Sequence, residues 1–159
     1  DSAETTGIIV FLIGVSSIMA WILAFTGIPA AISNALLGIS NNKIVILLII
    51  NVILLVVGTF MDITPAILIF TPIFLPVVTS DLIGMTAIQF GIMLVFNLCI
   101  GTITPPVGNI LFVGVRVAKT SIERVIKPLL PYYGVIILVL LLVTFVPAIS
   151  MFLPRLMGF

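Results

Sequence analysis

The sequence predicts an all-α membrane protein, built of transmembrane helices with a re-entrant hairpin and a discontinuous helix. Three observations carry that expectation. The chain of 159 residues is 62% hydrophobic and 7% charged, with a mean hydropathy of +1.52, well outside the range of soluble domains. Several apolar runs reach the roughly 20 residues that a helix needs to cross a bilayer. Two of the runs are interrupted, by Gly58-Thr59-Phe60-Met61-Asp62-Ile63-Thr64-Pro65 and by Gly101-Thr102-Ile103-Thr104-Pro105-Pro106. Proline has no backbone N–H and a fixed φ, so it opens a helix far better than it continues one. A threonine before it can cap the new helix. Each interruption therefore reads as one helix stopping and another starting at membrane depth. Non-helical backbone survives there only when buried in protein or lining a watery cavity.

The elements follow in order. Residues 6–27 are long enough for a first crossing, with Trp21 placed to anchor near the interface. In residues 28–42, Gly38 and Asn41-Asn42 punctuate a shorter, moderately apolar stretch. It reads either as an amphipathic helix on the membrane surface, linking two moving parts, or as a surface loop. Residues 43–79 would be about 55 Å long as one helix, too long for a ~30 Å core. They cross twice or form a re-entrant hairpin with its tip at residues 58–64; the hairpin is the reading carried forward. Residues 86–118 pose the same problem and fit a single crossing with an unwound centre at 101–106. The stretch from Arg116 to Lys127 holds four of the six basic residues. The positive-inside bias makes it cytoplasmic. Thr120 and Glu123 have capping-box spacing for a short helix within it. Residues 129–153 make a last crossing that ends in Pro154 and a snorkelling Arg155. Three parts result: 1–42, a crossing with a connecting arm; 43–118, the hairpin and broken helix; and 119–159, a linker and final crossing.

Composition excludes several functions. A net charge of +1 with no extensive basic patch argues against nucleic acid. The absence of histidine removes the commonest general base and metal ligand. Cys99 is alone, so no disulfide forms within the chain, and it reads as a buried, inert thiol. With one cysteine and a single mid-chain acid, acid–base or nucleophilic catalysis lacks ingredients, so no enzyme is expected. The chain starts at Asp1 without an initiator methionine or a signal peptide, from which we expect a piece of a longer polypeptide.

The strings GTFMDITPAILIFTPIFLPVV, NLCIGTITPPVGNILFV and FVPAISMFLP resemble the large membrane subunit of TRAP transporters, the tripartite ATP-independent periplasmic transporters of bacteria and archaea. The likeness covers essentially the whole chain and corresponds to the C-terminal portion of that subunit. It implies one half of an inverted-repeat, elevator-type transporter in the bacterial inner membrane, driven by a sodium gradient. It also implies a small membrane subunit and a periplasmic substrate-binding protein as partners, beside membrane lipids and the rest of the large subunit. The family's substrates are mostly organic acids, including C4-dicarboxylates and sialic acid. The other inverted repeat, with its own hairpin, is absent from this chain, which on its own would hold half a site.

The chemistry of the interruptions stands beside that resemblance. A helix that ends leaves carbonyls unpaired and a partial negative charge. Sodium is a hard cation suited to such oxygens. The carbonyls of Gly58, Thr59, Met61, Gly101 and Thr102, helped by threonine hydroxyls, are its candidate ligands, with glycine letting the backbone turn its carbonyls inward. The helices beginning at Thr64-Pro65 and Thr104-Pro105 point free N–H groups at the same region, which suits a substrate carboxylate. An acid near the bilayer centre costs ~2.5–3.5 kcal/mol on insertion scales, so Asp62 is expected at the hairpin tip, supporting the cation site or a cap. Should residues 43–60 cross fully, it would sit at the interface instead. Asn97, one turn before Gly101, either orients the broken backbone or bonds between helices. Asn51 and Gln89 are expected as packing hydrogen bonders, and Thr71-Pro72 with Pro76 as a kink. Two alternatives remain: a dicarboxylate carrier that needs no binding protein, and a non-transporting scaffold indifferent to helix-restoring substitutions at the breaks.

Overall fold

The computed structural model describes residues 25–40, 42–105 and 108–158, with scattered positions between 6 and 22. The first crossing expected at 6–27 lies largely outside the described residues. Helix α1 (Ile28–Ile39) resolves the ambiguity over residues 28–42 in favour of a helix. Gly27 takes a left-handed conformation (φ 69°) at its N-cap, with a proline in the first turn. Helix α1 packs on α3 and buries Leu36 there.

Helix α2 (Lys43–Phe60) begins where Asn42 accepts a 2.9 Å hydrogen bond from the Ile44 N–H. It stops at Met61 and Asp62, and α3 (Ile63–Val78) starts at once. Pro72 and Pro76 lie inside α3, which stays one helical segment through both. A short turn follows, in which the Met85 N–H reaches back to the Val78 carbonyl at 2.9 Å. Helix α4 (Ala87–Ile103) opens on Thr86, whose hydroxyl accepts from the Gln89 N–H at 3.2 Å. After a break come α5 (Asn109–Val117), α6 (Ile122–Phe145) and α7 (Pro147–Leu156). The described elements are all helical. Two of them, α2 and α6, are long and apolar enough to cross a membrane.

Helices α2 and α4 lie side by side and run in the same direction. Asn97 Nδ2 donates to Asn51 Oδ1 at 2.7 Å, and one to two turns further along both helices Gly58 packs on Gly101. Helix α3 therefore returns from the end of α2 to the start of α4. Helix α6 is antiparallel to α4: the Tyr133 hydroxyl donates to the Ile103 carbonyl, and Gln89 Nε2 donates to the Thr144 carbonyl at 3.0 Å. The core is the seam between α2, α3 and α4, where Ile46, Ile50, Leu54, Phe74, Phe90 and Leu98 are buried.

Four expectations need correction. The break expected at 101–106 starts later: α4 persists through Ile103 instead of unwinding at Gly101, and the next helix begins at Asn109. Ser121, not Thr120, is the N-cap of α6, so the Thr120–Glu123 spacing does not make a capping box. The last helix is not continuous over 129–153. Pro147 has no N–H for the Val143 carbonyl, the helix breaks at Val146, and Gln89 Nε2 (3.4 Å) and the Ser150 hydroxyl (3.2 Å) satisfy that carbonyl instead. Finally, Cys99 is exposed rather than buried. It shares the outward face of α4 with Ile92 and Val95, opposite the seam.

Candidate functional site

The two Gly-Thr pairs, 43 positions apart in sequence, meet in space. Gly58 and Thr59 form the last turn of α2, Gly101 and Thr102 the last turn of α4, and all four are buried. A Cβ on Gly101 would fall 2.5 Å from Gly58 Cα, and one on Gly58 would fall 3.1 Å from Gly101 Cα. Neither glycine is needed for a turn, since both are helical. They let two helix backbones touch, as small residues do in membrane helix pairs. The effect is to set the C-terminal ends of α2 and α4 side by side, with their partial negative charges adjacent.

The threonine hydroxyls beside these glycines are arranged alike. Thr59 Oγ1 donates to the Val56 carbonyl at 2.7 Å, and Thr102 Oγ1 donates to the Cys99 carbonyl at 2.8 Å. Each hydroxyl proton is thus turned back into its own helix, leaving the oxygen lone pairs for an electron-poor ligand. Around the ends, the carbonyl of Gly101 takes the Thr104 N–H at 2.9 Å, and that of Ile100 takes the Thr104 hydroxyl at 2.7 Å. Met61 is the C-cap of α2, and its N–H bonds the Val57 carbonyl at 2.9 Å. Oxygen atoms from helix ends and hydroxyls, with no thiolate or imidazole among them, fit a hard monovalent cation.

The helix starts differ from expectation. Thr64 and Pro65 do lie in the first turn of α3, but Asp62 is its N-cap, and the Asp62 side chain makes no capping bond. Asp62 and Thr64 are both exposed at the α2–α3 turn. Thr104 is the C-cap of α4, and Pro105 lies in the break; the next helix N-terminus is four residues later. Gly108 caps it in a left-handed conformation (φ 38°). A Cβ there would fall 2.9 Å from the Thr104 carbonyl oxygen and 3.3 Å from that of Thr102. Gly108 is what allows α5 to restart so close to the carbonyls that end α4.

Two side-chain groups complete the region. Tyr133, midway along α6, caps the end of α4 through the Ile103 carbonyl. It also lines a cleft of about 570 Å³ with Val56, Thr59, Phe60, Thr104 and Pro105. Deeper in the seam, Asn97 is fully buried and joins Asn51 and the Met93 carbonyl (2.9 Å), and Thr144 Oγ1 lies 3.4 Å from Asn51 Oδ1. Of the two roles open to Asn97, the structure displays the interhelical one. Sequence reasoning missed Tyr133 and Gly108. A tyrosine inside an apolar run needs a partner for its hydroxyl, and Gly-Asn after Pro-Pro is a helix-start signal; either could have flagged them.

Residues 1–149 match a family described as the tripartite ATP-independent periplasmic transporter, DctM component. The chain is 51% identical over 156 residues to the uncharacterized protein YgiK of Salmonella typhimurium, covering 98% of the chain and 35% of that protein. It is 44% identical over 152 residues to the isethionate TRAP transporter permease protein DctMQ of Oleidesulfovibrio alaskensis, covering 96% of the chain and 24% of that protein. The C4-dicarboxylate TRAP transporter large permease protein DctM of Vibrio cholerae is 39% identical over 157 residues, 99% of the chain and 34% of that protein. The chain thus spans about a third or less of these relatives. No solved structure matches it.

Proposed function

The chain belongs to the DctM component family of the tripartite ATP-independent periplasmic transporters, and on that premise we propose that it forms the C-terminal part of a permease for sodium-coupled uptake of an anionic organic acid. The complete protein would work in the bacterial inner membrane, with a small membrane subunit and a periplasmic substrate-binding protein. Two of the relatives above, a C4-dicarboxylate and an isethionate permease, are named for anionic substrates. A C4-dicarboxylate or a sialic-acid-like sugar acid is the substrate class we assign.

The observation that carries this function is the contact of Gly58 with Gly101. It brings two helix C-termini together, each carrying a threonine, Thr59 or Thr102, whose hydroxyl donates back into its own helix. There the carbonyls of Gly58, Thr59, Met61, Gly101 and Thr102 would replace the hydration shell of sodium. The starts of α3, at Ile63 and Thr64 just before Pro65, and of α5, after Gly108, would supply N–H groups for a substrate carboxylate. Asp62, at the α2–α3 turn, would add negative charge near the cation site. Thr104 and Pro105 line the cleft beside it.

A re-entrant hairpin accounts best for α2 and α3. Their turn lies level with the end of α4, which Tyr133 caps from the middle of the 24-residue α6. That level lies between one and two turns inside Lys127, the last charge at the basic end of α6, so the tip stops short of the charged end that a full crossing would reach. The hairpin and the broken α4–α5 helix would form one half of an inverted-repeat elevator, with the basic turn at Arg116–Lys127 on the cytoplasmic side.

The test uses the assembled transporter in proteoliposomes. Thr59→Val and Thr102→Val keep shape and remove the hydroxyl oxygen. Each should raise the sodium concentration for half-maximal uptake several-fold, with little change in substrate affinity at saturating sodium. Unchanged sodium dependence in normally inserted variants would reject the site.

A further inference from the structure

We propose that the turn between α5 and α6 is a binding site for one anionic phospholipid. Its phosphate would be held by Lys119 with Arg116 and Arg124, and an acyl chain would lie in the groove beneath. Three observations meet there. The stretch from Arg116 to Lys127 carries four basic residues against the single acid Glu123, and all four basic side chains are exposed. Directly under the turn, α5 and α6 leave an open groove of about 270 Å³, lined by Ile110, Leu111, Gly114, Val115, Val125 and Leu129. Charge above an apolar slot matches a lipid in both halves, and guanidinium and ammonium groups suit its phosphate.

The third observation concerns Lys119 itself. Helix α5 ends in a Schellman motif: the Thr120 N–H bonds the Val115 carbonyl at 3.0 Å and the Lys119 N–H bonds the Arg116 carbonyl at 3.2 Å. Lys119 occupies the left-handed position of that motif, at φ 50°, where glycine is the relaxed residue. A lysine accepts backbone strain there and gains an exposed side chain at the helix end, between Ala118 and Thr120, which both line the groove. Strain retained at one residue of an otherwise regular turn points to what its side chain does.

The inference rests on the membrane reading but not on the sodium site. The experiment takes the complete transporter, stripped of lipid in detergent, and follows its unfolding midpoint on adding phosphatidylglycerol, phosphatidylcholine or glycerol 3-phosphate. Phosphatidylglycerol should raise the midpoint and the other two should not. Lys119→Gly relaxes the turn, so its lipid-free midpoint should hold or rise while most of the phosphatidylglycerol increment is lost. Gly114→Leu keeps every charge and fills the groove, since nothing lies within 4 Å of a Cβ at Gly114; it too should lose the increment. An equal shift with phosphatidylcholine, a full increment in both variants, or the same shift with glycerol 3-phosphate would overturn the lipid site. Normal sodium-dependent uptake alongside any of these results would leave the transport function standing.

Discussion

The two helix breaks carry nearly the same letters, Gly-Thr followed by Thr-Pro, and the chain does different things at each. After α2 it reverses within two residues, Met61 and Asp62, and α3 runs back down the bundle. After α4 ends at Ile103, α5 does not begin until Asn109. The first break is short and exposed, with Asp62 and Thr64 on its surface. The second is braced: Thr104 caps two carbonyls, Tyr133 a third, and Gly108 folds over the end. A shared motif thus specifies where a helix stops, while the neighbours decide where the chain goes next.

Substitutions at the glycine seam should break that comparison most strongly. Gly101→Ala places a methyl 2.5 Å from the Gly58 backbone, and overpacking of this kind should cost about 3 kcal/mol. Gly58→Ala meets its neighbours at 3.1 Å and should cost about 1 kcal/mol. Thermal unfolding of the two purified variants would show the difference, and equal losses would mean that the seam is not as close as described. Next in size, Gly108→Ala combines a left-handed φ with a 2.9 Å contact to the Thr104 carbonyl, for about 2 kcal/mol.

Tyr133→Phe strands the Ile103 carbonyl and should cost about 1 kcal/mol. It should loosen the second break alone, read as faster amide exchange at Thr104 and Gly108 with no change from Met61 to Thr64. Smaller still is the Asn51–Asn97 bond. A double-mutant cycle with leucine at both positions should return about 0.6 kcal/mol of coupling, typical of buried hydrogen bonds between membrane helices. A coupling near zero would assign the parallel pairing of α2 and α4 to the glycines alone.

Much of this was legible because apolar runs and their interruptions are one-dimensional signals. The helices from Lys43 to Phe60 and from Ala87 to Ile103 end within a few residues of where glycine, threonine and proline announce it. The contact of Gly58 with Gly101 was not legible, because a glycine that permits a turn and one that permits a close helix crossing look identical in sequence. The start of α5 was misplaced for a related reason. Pro105-Pro106 promises a helix start at once, and only the packing of Gly108 over the Thr102 and Thr104 carbonyls delays it to Asn109. Tyr133 was passed over because its partner is a backbone carbonyl on another helix, freed by a break 30 residues away.

The central claim is that the α2–α3 turn is a re-entrant tip beside the transport site. A single cysteine at Thr64, exposed at that tip, tests it in the complete transporter with Cys99 replaced by alanine. The account predicts reaction with a small impermeant thiol reagent from the periplasmic side, slowed several-fold when sodium and substrate are present together. Reaction from the cytoplasmic side only, at a rate indifferent to both ligands, would mean that α2 crosses the whole bilayer and would remove Asp62 and Thr64 from the site.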